Sequence, residues 1–161
     1  MNKAFLLTIV IAAATQLGCT PVPMRTLTAV RPICASNNNC RVPVYVATDP
    51  QSQLCVVLVP FDEVHVGKGK QPLVVWELDA LDPSDGYDYQ FDTAGVFFKT
   101  AITVQDFIPG PGMGLTKFSW KSVNMRKLPF AYGVNVQRRL GHGGAWSACP
   151  TLDPQMINDG A

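Results

Sequence analysis

From Cys34 onward the chain is written in short alternating segments, and this two-residue period constrains the fold more than any other feature. Thr116, Phe118 and Trp120 alternate with Lys117, Ser119 and Lys121, the pattern of a half-buried strand. Phe130, Tyr132, Val134 and Val136 do the same against Ala131, Gly133 and Asn135. Val42–Val46 is rich in β-branched residues, and Pro43 near its start marks it as a first or edge strand. Leu54–Val59 is an unbroken apolar run of the kind a buried central strand carries. Val64–Val66, Leu73–Leu78, Tyr87–Phe91 and Val96–Phe98 complete the set. Turn signals stand between them at Asp49-Pro50, Gly67–Lys70 and Asp82–Gly86. Residues 106–114, with Pro109–Gly112, read as a long rigid loop, and Cys149 to Ile157 as a short Pro-punctuated end. No window of about eleven residues shows the period of an amphipathic helix. The expectation is one all-β domain over residues 34–161, an antiparallel sandwich of about eight strands.

The N-terminus reads as an export signal. Lys3 supplies the positive start, and Ala4–Ala14 is an apolar run short of the roughly 20 residues a spanning helix needs. Ala12 and Ala14 fit the small-x-small rule of ordinary signal cleavage. Leu17-Gly18-Cys19 offers a second site. It resembles the lipobox of bacterial lipoproteins, with Gln16 and Leu17 where that pattern has Leu and a small residue. The resemblance implies a signal peptide over residues 1–18 and lipidation of Cys19; residues 19–33, with Pro21, Pro23 and Pro32 and little pattern, read as a tether or an edge segment. The lipobox resemblance places the protein in the periplasm or at the outer membrane, touching the membrane only through the lipid.

The cysteines bear on this choice. There are five, Cys19, Cys34, Cys40, Cys55 and Cys149. With Cys19 lipidated an even set remains for an oxidising compartment; without lipid one thiol is left over. Three pairings of the other four are open. Asn37–Asn39 makes a natural loop between Cys34 and Cys40, which favours that bridge and leaves Cys55 with Cys149.

Charge excludes one partner class. The chain has 13 Lys+Arg and 12 Asp+Glu, and loss of Lys3 with the leader balances them. Nucleic-acid binding shows as a basic stripe, and the sequence has none.

The candidate chemical sites are few. Val64–Leu78, with a Lys-Gly turn before Val-x-Trp, looks like the strand–turn–strand of cupredoxins, and Cys149 and Met156 lie near the end as in that family. The resemblance implies a cupredoxin-like or immunoglobulin-like sandwich and an electron carrier with copper held by His65, His142, Cys149 and Met156. The family's loop carries a His between the Cys and the Met; residues 150–155 have none. The leading expectation is therefore no cofactor and no metal. Phe130–Val136 followed by Leu152–Asn158 resembles the close of small exported bacterial β-sandwich proteins.

His65, between two valines, reads as an ordinary strand residue. His142, in Leu140–Gly144, is the better contact candidate because glycines admit close approach. Asp79, Asp82, Asp85 and Asp88 surround one turn without EF-hand spacing. Tyr87, Tyr89 and Phe91 read as a core face. No nucleophile signature occurs. These readings lead to a non-enzymatic envelope or secreted module that binds a protein or polymer or joins an assembly, with an electron carrier and a secreted hydrolase as alternatives.

Overall fold

The computed structural model describes residues 33–61, 63–111 and 114–160. The leader, Cys19 and all but the last residue of the tether lie outside them. Eleven strands follow one another: β1 (Ile33–Cys34), β2 (Cys40–Thr48), β3 (Cys55–Leu58), β4 (Glu63–Val66), β5 (Leu73–Ala80), β6 (Tyr87–Phe98), β7 (Phe107–Pro109), β8 (Lys117–Ser122), β9 (Lys127–Leu140), β10 (Ser147–Ala148) and β11 (Gln155–Asp159). Among the described residues none is helical.

The strands form two sheets. One runs β1-β4-β11-β9-β10, with β6 also paired to β9; the other runs β3-β2-β5-β8-β7. The all-β expectation holds, but the sheets are mixed rather than antiparallel. β1 with β4, β4 with β11, and β2 with β5 are parallel pairs. The chain changes sheet between β3 and β4, again before β5, and again before β6. The parallel neighbours are thus joined by long crossovers, which parallel pairing requires.

Five segments differ from their sequence reading. β3, read from its unbroken apolar run as a buried central strand, is instead an edge strand with Leu54, Val56 and Leu58 exposed. β2 lies inside its sheet despite Pro43; it pairs with β3 only over Tyr45–Thr48, so the Pro43 stretch still has one open side. The strands read at Tyr87–Phe91 and Val96–Phe98 are one strand whose register against β9 shifts between Phe91 and Val96. Part of the rigid loop pairs with β8 as β7. The C-terminal end is an interior strand: β11 sits between β4 and β9, with Met156 and Asn158 fully buried.

One core joins the two sheets. Val42, Val44, Val46, Val74 and Trp76 of one face Val64, Val66, Phe130, Tyr132, Val134, Val136 and Met156 of the other. Trp76 and Tyr132 meet edge-on at 5.5 Å. Phe98 of β6 lies 4.4 Å from Phe107 and 5.3 Å from Trp120, tying the sheets together at the other side. Each such buried ring or branched chain contributes roughly 1.5–3 kcal/mol from apolar burial. Tyr89 and Phe91 belong to this core face, as read; Tyr87 instead lies under the Arg138 guanidinium, 4.6 Å away. Around them one end of the core is closed by polar groups. Arg138 donates to Thr48 Oγ1 (2.6 Å) and to the Gln53 carbonyl (2.6 Å), and Tyr89 donates to Asp85. Burial, reinforced by the Asp85 bond, pushes the Tyr89 phenol up to about 12.

Two disulfides cross-link the fold. Cys34–Cys40 closes the Asn loop, and Cys55–Cys149 joins the start of β3 to the segment after β10, with Cα–Cα distances of 5.4 and 5.3 Å. This is the pairing favoured by the Asn37–Asn39 loop. Such bridges belong to an oxidising compartment. The chain-entropy account makes them unequal, because one closes 94 residues of sequence separation and the other 6. Denaturant unfolding of Cys55→Ala/Cys149→Ala should show a loss of roughly 4–5 kcal/mol, against about 2 for Cys34→Ala/Cys40→Ala.

Candidate functional site

The residues considered for copper are not brought together. Cys149 Sγ is bonded to Cys55 and offers no thiolate. Met156 pairs with Val64 on the core side of the sheet, whereas His65 pairs with Ile157 one position on, so the two side chains leave opposite faces. His65 Nε2 lies 3.0 Å from Glu63. His142 stands beyond the end of β9 with its side chain 92% exposed, its Nδ1 3.0 Å from Asp88. Among the described residues no three His, Cys, Asp or Glu side chains gather as a metal site.

The acidic turn is likewise explained by its own hydrogen bonds. Asp82 accepts from Ser84 N–H at 2.9 Å and Ser84 Oγ at 2.6 Å, which holds its carboxyl below the usual range. Asp85 accepts from Tyr87 N–H at 2.8 Å and from Tyr89. Asp88 takes Arg139 Nε at 3.0 Å besides His142.

A different place has the form of a site. Where β6 breaks register, residues 92–95 loop outward. Asp92 Oδ1 accepts from Ala94 N–H (2.7 Å) and Gly95 N–H (2.9 Å), so the carboxylate caps its own bulge. Gly95 has φ +48°, and a Cβ there would stand 2.3 Å from the Phe118 ring. Glycine at this point is therefore needed twice, for the backbone and for the ring that lies against it.

Opposite the bulge, the chain after β7 is fixed to β8. Gly110 N–H donates to the Ser119 carbonyl at 3.1 Å, and Ser119 Oγ donates to the Pro111 carbonyl at 2.9 Å. A Cβ on Gly110 would fall 2.2 Å from Ser119 Oγ, so this contact too requires glycine. Further along, the Leu115 carbonyl accepts from Phe91 N–H at 2.8 Å.

Between bulge and loop lies a cleft of about 490 Å³, within the range of small-ligand sites. Phe91, Leu115, Phe118 and Trp120 supply apolar lining, and Gln90, Gln137, Lys117 and Asp92 polar lining. Trp120 Nε1 donates to the Val96 carbonyl at 2.9 Å, which sets the indole against β6. Lys117 Nζ is paired with Glu77 at 2.9 Å.

None of these residues except the alternating aromatics stands out in the sequence. Gln90 occupies the ordinary polar place between Tyr89 and Phe91, Gln137 opens the polar run that continues with Arg138 and Arg139, and only the register joins them. No family model matches the chain, and no curated protein resembles it significantly.

The Gly95 contact is testable. Gly95→Ala should destabilise the protein by roughly 2–5 kcal/mol in denaturant unfolding, combining left-handed backbone strain with displacement of Phe118. Gly143→Ala, with open space around its Cβ, should stay within about 0.5 kcal/mol of the parent.

Proposed function

We propose that this protein is a non-enzymatic binding module of the bacterial envelope or secreted space, and that the β6 cleft holds its protein or polymer ligand. The sandwich is read as immunoglobulin-like or cupredoxin-like. Cys19 is read as its lipid anchor, the tether as the spacer from the membrane, and the periplasm or outer membrane as its location. The observation that carries the reading is the fixed cleft. Both its walls are held by internal bonds, at Asp92 on one side and Ser119 and Leu115 on the other, so a ligand meets a formed surface. The two histidines support a binding role over a hydrolytic one, because each is bound to a carboxylate away from the cleft rather than to a hydroxyl within it.

Amide and aromatic NMR spectra, recorded while peptide, glycan and lipid fractions of the envelope are added, test the reading. Shifts should concentrate at Leu115, Phe118 and the Trp120 indole. Shifts confined to the outer surface of β3, where Val56 and Leu58 are exposed, would contradict it. So would turnover of any added fraction.

A further inference from the structure

We propose that the cleft takes an uncharged saccharide chain, an inference that rests on the cleft being the binding site. Gln90 and Gln137 carry it. They are register partners across β6 and β9, so their side chains leave the same face of the sheet. Gln90 is only 9% exposed and Gln137 is half-buried, and both line the cleft. Neither carboxamide has a hydrogen-bond partner among the described residues. The polar atoms of both carboxamides stay open to the cleft, although most of the Gln90 side chain is covered. Two such groups side by side offer a ligand in the cleft donors and acceptors that no described protein group competes for.

The chemistry of the pair selects the ligand. Each carboxamide presents two N–H donors and a carbonyl acceptor without net charge. A hydroxyl both donates and accepts, so neighbouring sugar hydroxyls satisfy such a set. The charged groups at the rim are occupied: Lys117 by Glu77, and Asp92 by the amides of its own bulge. No free cation is thereby offered to a phosphate or carboxylate. Trp120, its indole N–H already bound to Val96, has only apolar surface to give, which suits the C–H face of a pyranose.

The surrounding face favours a chain over a single sugar. Two register positions from the glutamines on the same face, roughly 7 Å along the strands, stand Asp88 and Arg139. Trp146 lies against that Arg139 guanidinium at 4.7 Å and is half-buried. It adds a second aromatic plate beyond the cleft. An extended peptide would instead seek main-chain bonds along a strand edge. At the cleft that edge is taken, because Phe91 N–H is bonded to Leu115.

The test is an NMR titration of the full chain with neutral β-1,4-linked glucose and N-acetylglucosamine tetramers and an α-1,4-linked glucose tetramer. A galacturonate tetramer, a proline-rich peptide and lauric acid are the comparators. At least one neutral tetramer should shift the side-chain NH₂ signals of Gln90 and Gln137. Gln137→Leu should weaken that binding about tenfold or more, the worth of one or two such bonds, with an unchanged thermal midpoint. Gln90→Leu should also abolish binding while the midpoint holds, since no described protein group bonds the amide it removes. The proposal is overturned if no neutral tetramer binds, if binding survives both substitutions, or if Gln90→Leu lowers the midpoint by several degrees, which would make the amide structural. Cleft shifts with the peptide or lauric acid alone would overturn the saccharide and keep the cleft as the binding site. No cleft shift with any compound would overturn both.

Discussion

The free edge of a sheet carries unpaired N–H and C=O groups that will accept another strand unless they are bent away or covered. β6 is the long outer strand of its sheet, and both devices are applied to it at one point. The bulge at 92–95, capped by Asp92, bends it. The chain leading into β8 covers it, with Leu115 accepting from Phe91 N–H. Covering an edge with a loop leaves space wherever the two surfaces do not match, and the cleft is that space. Its shape thus follows from edge protection. Gly95 allows Phe118 to close against the bulge, and Gly110 allows the loop to close against Ser119.

The rest of the fold supplies the rigid frame for this edge. The sheets are joined by packed side chains and by one long-range disulfide, Cys55–Cys149. β9 organises the frame. It holds β11 over Lys127–Ala131, β10 at Gln137 and Arg138, and β6 along Tyr132–Leu140. The residue that β9 contributes to the cleft, Gln137, is therefore anchored in the middle of its sheet, whereas Gln90 comes from the edge.

Much of this was legible in the sequence because strands announce themselves locally. The alternation of Phe118 and Trp120 with lysine and serine, and of Phe130 through Val136 with small or polar residues, marked β8 and β9 correctly. The Asn loop marked the Cys34–Cys40 bridge. Partnership between strands was not legible, because period-two patterning says which face is buried and nothing about which strand lies alongside. The parallel pairs and the interior place of β11 followed from sheet crossings that no local signal records. Asp153-Pro154 disguised β11 as a tail. The copper set failed for the same reason: His65 and Met156 are near one another in the folded sheet but separated by its two faces. The cleft was invisible because Gln90 and Gln137 look like solvent positions, whereas the fold covers Gln90 and brings it to one cleft with Pro109, Gly110 and Leu115.

Amide hydrogen exchange followed by NMR tests most directly whether the covered edge is a built feature. The Phe91 amide should exchange as slowly as those of Tyr132 and Val134, which bond to Pro154 and Leu152 in the spine of the sheet. Exchange of Phe91 as fast as the exposed turn amide of Gly143 would contradict the account. It would mean that the loop does not rest on β6 and that the cleft is not formed before a ligand arrives.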